Sequence, residues 1–411
     1  MSDHPAASDH TLQRLPGANQ VGMREYNERL LLQAIRLHGS LPKAELARLT
    51  KLSGQTVSVI VERLLDEGLV ERQAAQRGRV GQPSRPIALR PDAAFAVGVR
   101  LGRRSLDVLL LDFAGQPRWR SATPYPAPRV DEVFAAIGAE LARIHDVLGE
   151  GAGRIAGIGL AAPLAFGGWH DLLGMEAREA AAWAGLDLRA RLQAATPLPV
   201  EFAKDTAAAC VAELVAGRGR GLENYLYVFV DVLAGGGLVI DGQPHGGRHG
   251  NAGAIGSMPL GLAGAGRAGQ VLDEASLVGL ERMFGAAGLE PLAFTDARVL
   301  AAPWEPVTRA WIARAADAIA FAICGAACVL DLDGAIVDGA VDRALLAALL
   351  TAVEAALGRY DWQGAARPPV LAGAVGADAK AYGAACLPLH SGFAPAHDLF
   401  LKDARRQGRP G

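Results

Sequence analysis

The sequence predicts an N-terminal winged helix-turn-helix joined to a larger α/β body with two similar lobes. Before residue 90, three segments with helical spacing precede two short strands that are joined by an arginine-rich loop. After Pro91, strand pairs around glycine turns alternate with helices, a pattern typical of α/β domains. The length of 411 residues suggests about two or three domains at roughly 150 residues each.

Composition excludes several classes of protein. A chain with 51% hydrophobic and 20% charged residues can fill real cores, so it is not disordered or fibrous. The four cysteines are too scattered for a disulfide framework, and Cys324 and Cys328 are expected to be core residues on one helical face. No uninterrupted apolar run reaches about 18 residues, and MSDHPAASDH does not resemble a secretory signal. We therefore expect a soluble, cytoplasmic protein without a membrane partner.

The net charge of -2 hides a difference between two parts of the chain. Residues 1–90 carry 13 Lys and Arg against 9 Asp and Glu, a balance of +4, and the remainder carries 28 against 34, a balance of -6. A basic module joined to an acidic body is the charge distribution expected of a DNA-binding domain attached to an effector-binding domain. When the charges are considered alone, chance explains this difference equally well.

The elements of the N-terminal module follow in order. Residues 1–22 have the polar composition of a flexible arm, and residues 23–90 form the predicted DNA-binding domain. A first helix runs from Met23 to His38, and a second runs from about Lys43 to Leu49. Ser53 is placed to cap a third helix from about Gly54 to Glu67. The third helix has an apolar stripe of Val57, Ile60, Val61, Leu64 and Leu65.

The opposite face of this third helix supplies candidate DNA contacts. Short side chains near a helix start can reach base edges, and the base-reading candidates are Gln55, Thr56, Ser58 and Val59. Basic side chains nearby can reach phosphates or a minor groove, and those candidates are Lys51, Arg63, Arg77, Arg79 and Arg85. A dimer would read a two-fold operator. A small helical module that binds protein is the alternative.

The body, residues 91–411, is predicted to contain two lobes. The first covers about 91–205 with a C-terminal return, and the second covers about 206–395. Strands are predicted in FAVGVRLGRRSLDVLLLDFAG, RIAGIGLAAP, YLYVFVDVLAGGGLVIDGQ and GAIVDGAV. Long alanine-rich helices are predicted at about 305–330 and 341–358.

Several segments together identify a family resemblance. They are the helix-turn-helix followed by RGRVGQPSRPIALRPDAAFAVGVRLG, then GIGLAAP, NYLYVFVDVLAGGGLVIDG, HGNAGAIGSMPLG and GAVGADAKAYGAA. From about residue 20 to 395 the chain resembles the ROK family (repressor, open reading frame, kinase), and most of all its transcriptional regulators. The resemblance implies an actin-like, hexokinase-like body of two lobes around a cleft. It also implies assembly as a homodimer or homotetramer.

The residues that match the phosphate turns of ROK kinases are altered. The first turn, of the type Asp-x-Gly-Gly-Thr in the family, corresponds to Arg100–Arg104 and contains Arg103 and Arg104. The second turn, Gly-Thr-Gly, corresponds to residues 231–233, where Asp231 and Leu233 would repel or block a triphosphate. Phosphoryl transfer depends on close backbone approach to the phosphates, so we expect neither ATP binding nor kinase activity.

The sugar and zinc positions of the family are altered as well. Asp205 matches the catalytic base, but Lys204 replaces its sugar-orienting Asn neighbour, so no catalytic residue is predicted. Ala254 replaces the sugar-binding Glu, and Ser257 replaces the His that also ligates zinc. The zinc-binding CxCGxxGC run corresponds to GLAGAGRAGQVLDEAS, which has no cysteine, so no zinc is expected. Candidate effector contacts are Lys204, Asp205, His249 and Asn251.

These observations predict a DNA-binding transcriptional regulator, a repressor of carbohydrate-related genes, with a catalytically inactive body. That body would sense a sugar or sugar phosphate and support oligomerisation. An ATP-dependent kinase for a hexose or N-acetylated amino sugar, carrying a DNA-binding head, is the enzymatic alternative. A constitutive DNA-binding protein without an effector is the third possibility.

Overall fold

The computed structural model describes residues 20–74, 85–125, 127–164, 166, 175–261 and 268–395. The chain divides into two compact units, which are described separately. One contains Met1–Arg90 and Gly392–Gly411, and the other contains Pro91–Ser391.

The first unit is a three-helix module with a small antiparallel sheet. Its helices are α1 (Gln20–His38), α2 (Lys43–Thr50) and α3 (Gly54–Asp66), and its strands are β1 (Val70–Arg72) and β2 (Ile87–Leu89). As predicted, Ser53 caps α3: its hydroxyl oxygen accepts a hydrogen bond from the Thr56 backbone N–H over 3.1 Å. The turn before α3 depends on Lys51, which adopts a left-handed φ of 57°.

The core of the first unit follows the predicted apolar stripe. Val57, Ile60, Val61 and Leu64 of α3 are buried, whereas Leu65 is only partly buried. Their burial fixes which side of α3 faces outward, because a helix can bury only one stripe against its neighbours.

The first half of the body is built on a five-stranded mixed sheet. Its strands are β3 (Phe95–Leu101), β4 (Ser105–Asp112), β5 (Pro117–Pro124), β6 (Ile155–Ala162) and β7 (Val200–Lys204), in the order β5-β4-β3-β6-β7. The pairs β5–β4 and β4–β3 are antiparallel, and β3–β6 and β6–β7 are parallel. The helices of this half are α4 (Val130–Leu148), α5 (Ala177–Trp183) and α6 (Leu188–Gln193).

The second half repeats the same pattern of pairing. Its strands are β8 (Tyr225–Val230), β9 (Gly235–Ile240), β10 (Gln243–Pro244), β11 (Gly334–Gly339) and β12 (Val370–Ala372), in the order β10-β9-β8-β11-β12. Two antiparallel pairs are again followed by two parallel pairs. This repetition confirms the predicted α/β body with two similar lobes.

The remaining helices connect and cover the sheets. They are α7 (Asp205–Ala216), α8 (Val271–Ala275), α9 (Leu277–Ala286), α10 (Glu305–Leu330), α11 (Arg343–Leu357) and α12 (Ala379–Phe393). The predicted helices at about 305–330 and 341–358 correspond to α10 and α11.

Helix α10 is long and apolar enough to cross a membrane by length and composition. The sequence criterion of an uninterrupted apolar run missed it, because Arg309, Arg314 and Asp317 interrupt the run. More than half of its most apolar window is buried in the protein, and its buried side chains, Trp311 and Ile319 among them, join the core over the second sheet. Helix α10 therefore packs as a core helix.

The two cysteines of α10 correct one expectation. Cys324 is partly buried and Cys328 is exposed, so Cys328 is not a core residue. The two side chains do share one face, but that face turns outward near the end of the helix, where the adjacent Val329 is 80% exposed. Spacing alone identified the shared face and could not identify which face was buried.

Helix α12 lies unusually close to its neighbours. A Cβ atom added to Gly98 of β3 would stand 2.0 Å from the Ala381 carbonyl oxygen, and one added to Gly159 of β6 would stand 1.8 Å from the Ala384 carbonyl oxygen. A Cβ on Gly383 would stand 1.7 Å from the Ala208 carbonyl oxygen of α7. Glycine is therefore required at these contacts, and α12 is held between the first sheet and α7.

Candidate functional site

Four charged side chains meet on the floor of the cleft between the two sheets. Arg100 is near the end of β3, and Asp231 directly follows β8. Asp205 is the first residue of α7, and Lys380 is the second residue of α12. Asp205, Asp231 and Lys380 are buried, so their charges depend on one another for stabilisation.

The distances show a continuous ion-pair network. The Lys380 Nζ donates to Asp205 Oδ2 over 2.7 Å and to Asp231 Oδ2 over 2.9 Å. Arg100 donates to the same Asp231 oxygen over 2.9 Å and to Asp107 Oδ2 over 2.6 Å. Two cations, Arg100 and Lys380, are thus linked to three carboxylates, Asp107, Asp205 and Asp231, in one network.

The network favours the charged forms of Asp205 and Asp231. Burial works against the charge of Asp205, but Lys380 outweighs it and holds the pKa of Asp205 below its usual value. Burial likewise opposes the charge of Asp231, and Lys380 and Arg100 together hold the pKa of that carboxyl well below normal. Burial opposes the charge of Arg100 as well, yet Asp231 and Asp107 raise its pKa. All these groups are charged at neutral pH.

The surroundings of Asp231 bear on its expected role. The family resemblance led to the expectation that Asp231 and Leu233 would repel or block a triphosphate. The Asp231 carboxylate is paired with Arg100 and Lys380. Its charge is therefore compensated within the protein, and the expected loss of ATP binding stays a prediction.

The three glycines at the start of β9 have a packing role. A Cβ on Gly235 would stand 2.9 Å from the Thr206 methyl, and a Cβ on Gly237 would stand 2.6 Å from the Cys210 Cβ. Thr206 and Cys210 are both on α7, so these glycines let α7 lie close to the strand. Gly236 is crowded from a different side, because a Cβ there would stand 2.4 Å from the Tyr227 carbonyl oxygen on the neighbouring strand β8.

A polar cavity of about 210 Å³ lies beside the network. Three of the four candidate effector residues, Lys204, Asp205 and Asn251, line it together with Arg103. His249 is exposed and is not among the lining residues. The structure therefore brings three of the proposed effector contacts together and separates the fourth from them.

A second contact between the two halves of the body lies nearby. Arg104, in the β3–β4 turn, donates to both carboxylate oxygens of Glu281 on α9, over 3.1 and 2.8 Å. Arg104 thus acts as a bridge to the second half. The bidentate geometry gives the pair directional specificity as well as attraction.

In the first unit, α3 presents a mixed polar and apolar face to its surroundings. Gln55 is exposed, Val59 is 66% exposed and Ser58 is partly exposed. The Thr56 hydroxyl lies 2.8 Å from the Ser53 hydroxyl, so it takes part in the cap of the helix. Gln55, Ser58 and Val59 are available to an external partner on this face, and Thr56 is partly exposed as well.

The basic candidates fall into three groups. Lys51 and Arg85 are exposed, as a phosphate contact requires. Arg77 and Arg79 lie outside the described residues. The Arg63 guanidinium donates to Glu28 over 2.9 Å and to Glu67 over 2.8 Å. Arg63 thus links α3 to α1, its side chain keeps 41% of its exposure, and its phosphate contact stays a prediction.

Two residues of the network were absent from the sequence-based candidates. Lys380 lies in the GAVGADAKAYGAA segment, where its charge within an alanine- and glycine-rich helix was the available signal. Asp107 interrupts the apolar run of β4 in the same way. An isolated charge inside an otherwise buried element predicts an ion-pair partner, since an unpaired buried charge is costly.

No group of three or more His, Cys, Asp or Glu side chains that could hold a metal ion occurs in the part of the chain that the structure describes. Residues 262–267, within the segment that matches the zinc-binding run, lie outside that part. The absence of zinc thus stays a prediction from the missing cysteines.

Comparison with known proteins gives two family matches and several relatives. The chain matches the ROK family over residues 96–390 and the MarR family over residues 25–79. The protein y4fQ of Sinorhizobium fredii is 32% identical over 231 residues, which are 55% of this chain and 58% of y4fQ. The xylose repressor of Bacillus subtilis is 22% identical over 253 residues, 60% of this chain and 64% of the repressor. The chain thus spans less than two thirds of the length of these relatives.

Solved structures with the same fold include regulators and kinases. A ROK family transcriptional regulator, a homolog of the E. coli MLC protein, has a TM-score of 0.69 at 19% identity, covering 90% of this chain and 98% of that structure. A ROK family glucokinase from Streptomyces griseus has a TM-score of 0.57 at 20% identity, covering 72% of this chain and 99% of the kinase. These similarities establish the fold, and the family match extends over more than half of the sequence. The chain belongs to the ROK family.

Proposed function

We propose that this protein is a DNA-binding transcriptional repressor of carbohydrate-related genes. The observation that carries the proposal is the outward face of α3, where Gln55, Ser58 and Val59 are presented from a capped helix in a helix-turn-helix module. Polar side chains at the start of such a helix can read base edges in a major groove. The names of the xylose repressor and of the MLC-like regulator support the same reading.

The DNA partner is an operator with two-fold symmetry. A homodimer or homotetramer would place two copies of α3 on half-sites separated by whole helical turns, about 34–36 Å apart for one turn. Lys51 and Arg85, with Arg77 and Arg79, would hold the phosphates or the minor groove. Binding would occur in the cytoplasm, where the operator is found.

The body has no kinase activity in this proposal. A general base must accept a proton near the working pH, and Asp205 is a poor base because Lys380 stabilises its charged form. Arg100 and Asp231, which the family resemblance assigns to the phosphate turns, form an ion pair, and this supports the proposal. In this proposal the protein therefore needs no ATP. It needs no zinc because GLAGAGRAGQVLDEAS lacks the cysteines of the zinc-binding run, and the cleft serves effector sensing and oligomerisation.

Operator binding is the direct test of this function. Footprinting with the full chain on its own upstream DNA should protect a two-fold site of two half-sites. Gln55→Ala and Ser58→Ala should each lose about 1–3 kcal/mol of binding to that site and keep the affinity for unrelated DNA. Protection without two-fold symmetry, or equal loss on specific and unrelated DNA, would contradict base reading by α3.

The kinase alternative is retained because Asp205 is present. It is tested by ATP turnover with a panel of hexoses and N-acetylated amino sugars, together with nucleotide affinity by calorimetry. We expect turnover equal to the Asp205→Ala background and no measurable nucleotide binding. Sugar-dependent turnover that Asp205→Ala abolishes would establish the enzyme instead. Operator binding that no sugar relieves would favour a constitutive DNA-binding protein.

A further inference from the structure

The charges that line the polar cavity are unevenly distributed. Arg103 and Lys204 contribute two cationic groups, and Asp205 is the only carboxylate among the described lining residues. The other polar side chains, Thr206, Asn251 and Ser257, are neutral. A cavity with this lining attracts negative charge unless Asp205 cancels it.

Asp205 provides only part of that cancellation. One carboxylate oxygen accepts from the Lys380 ammonium over 2.7 Å, and the other accepts from the Thr206 backbone N–H over 2.8 Å. Lys380 is buried and is not among the residues that line the cavity. The negative charge of Asp205 is therefore shared between Lys380 and the cations of the cavity. Arg103 and Lys204 outnumber this single carboxylate in the cavity lining.

Lys204 is the more informative of the two cations. It lies at the end of β7, immediately before α7, and is partly buried. Its ammonium makes no hydrogen bond or ion pair with any residue that the structure describes. Burial lowers the pKa of Lys204, which is the expected consequence of a partly dehydrated charge. The adjacent Asp205 offsets this effect only in part, and a bound anion would supply a further counter-charge.

The size of the cavity limits the ligand. Its volume of about 210 Å³ is below the roughly 300 Å³ at which pockets for drug-sized molecules begin. One sugar ring is a suitable occupant, and a nucleotide is too large. Asn251 and Ser257 offer donors and acceptors of the kind that orient hydroxyl groups.

We propose that the polar cavity binds a single sugar ring that carries one anionic group, a carboxylate or a phosphate, with Arg103 and Lys204 holding the anion. This inference rests on the proposed function, in which the cleft senses a carbohydrate effector. It adds that the effector is an anionic monosaccharide and that neutral sugars are discriminated against. The selectivity arises because a neutral sugar would give the partly dehydrated ammonium of Lys204 no counter-charge beyond that of Asp205.

Calorimetry with the full chain tests the proposal. The probes are glucuronate and galacturonate for the carboxylate, glucose 6-phosphate for the phosphate, and glucose and xylose as neutral sugars. At least one anionic probe should bind at least about tenfold more tightly than either neutral sugar, since a hydrogen bond to a charged group contributes about this factor or more. Comparison of the carboxylate and phosphate probes then identifies which anion the cavity accepts.

Variants connect the binding to the cavity. Lys204→Met should weaken the anionic probe at least about tenfold and leave neutral sugars unchanged, and Lys204→Arg should retain most of the affinity. Arg218→Met is the matched control, because it removes an exposed cation that does not line the cavity. The melting temperature of each ligand-free variant reports folding independently of the ligand.

Three results would overturn the proposal: equal binding of neutral and anionic sugars, anionic binding that Lys204→Met leaves unchanged, or binding of none of the five probes. Footprinting of the operator without sugar keeps the two hypotheses separate. Intact operator binding with no selectivity for anions rejects the anionic effector alone. If the protein fails to bind the operator but still binds anionic sugars selectively, the repressor function is rejected and the proposed sugar site is retained.

Discussion

Arg100 and Asp231 join the two halves of the body through one short ion pair, with Arg100 Nη2 2.9 Å from Asp231 Oδ2. Arg100 belongs to β3 of the first sheet, and Asp231 follows β8, the corresponding strand of the second sheet. The pair lies where the resemblance to ROK kinases places the two phosphate turns. At these two positions the protein therefore carries opposite charges that pair with each other between the sheets.

Lys380 is predicted to be the residue whose loss costs the network most. Lys380→Met removes one buried cation and leaves Asp205 and Asp231 with less compensation. Removing one partner of a buried pair typically costs about 3–5 kcal/mol, so the free energy of unfolding at pH 7 should fall by about that amount. Urea unfolding measures it. Arg309→Met, which removes an exposed pair with Glu305, is the control and should cost less than about 1 kcal/mol.

The cost of Lys380→Met should depend on pH in a defined direction. In the native protein the pKa of Asp205 and that of Asp231 are lowered, so their stabilisation is present above about pH 4 and is lost as pH falls further. In the Lys380→Met variant, the pKa of Asp205 should rise because burial is no longer opposed by Lys380. Protonation of Asp205 in acid then removes a poorly compensated buried charge, so the variant should be more stable in acid than at pH 7. The stability difference should shrink between pH 7 and pH 4. A difference that grows on acidification would contradict the assigned ion pairs.

Arg63 should affect stability more than operator binding. Its guanidinium bridges Glu28 on α1 and Glu67 at the end of α3, and burial raises the pKa of Glu28. Arg63→Ala leaves Glu28 buried without this partner, so the melting temperature should fall. Gln55→Ala should show the reverse, with an unchanged melting temperature and weaker operator binding. If Arg63→Ala instead lowers operator affinity and flattens its salt dependence without destabilising the fold, Arg63 contacts phosphate.

Local patterns predicted the elements of this fold well. The stripe on α3 and the Ser53 cap follow from helix periodicity and capping chemistry, which involve residues a few positions apart. The repeated strand pairs around glycine turns likewise predicted two similar lobes. These features are local, so one sequence contains enough information to find them.

The ion-pair network could not be predicted from local patterns, because its members are far apart in the chain. Lys380 is 175 residues from Asp205, and Arg100 is 131 residues from Asp231. The resemblance to the family singled out the positions of Arg100, Asp205 and Asp231 separately. It did not indicate that their side chains contact one another. Only the packing of α12 against the first sheet and α7 brings Lys380 between the two carboxylates.

The Arg104–Glu281 pair should make a modest, measurable contribution to the contact between the halves of the body. Both side chains keep about a third of their exposure, 38% and 32%, so solvent screens their attraction. A double-mutant cycle of Arg104→Ala and Glu281→Ala should therefore give a coupling energy of about 0.2–1 kcal/mol in urea unfolding. The coupling should decrease in high salt. A coupling near zero at low salt would show that the bidentate geometry does not persist in solution.

Gly383 should tolerate no side chain, because α12 and α7 approach each other most closely there. A Cβ atom at this position would lie 1.7 Å from the Ala208 carbonyl oxygen, a backbone atom that cannot rotate away. Gly383→Ala must push α12 away from α7 and should destabilise the protein by about 1–3 kcal/mol or more. The displacement also moves Lys380, three residues earlier, so the pH dependence of stability should resemble that of Lys380→Met.

Gly138→Ala is the matched control for this prediction. Gly138 is exposed on α4, and a Cβ there meets nothing within 4 Å. Alanine is the better helix former, so this change should stabilise the protein by about 0.5–1 kcal/mol. Urea unfolding of the two variants separates the effect of close packing from the effect of helix propensity, because both exchange glycine for alanine within a helix. Equal and favourable effects of the two changes would show that α12 does not approach α7 at the distance described.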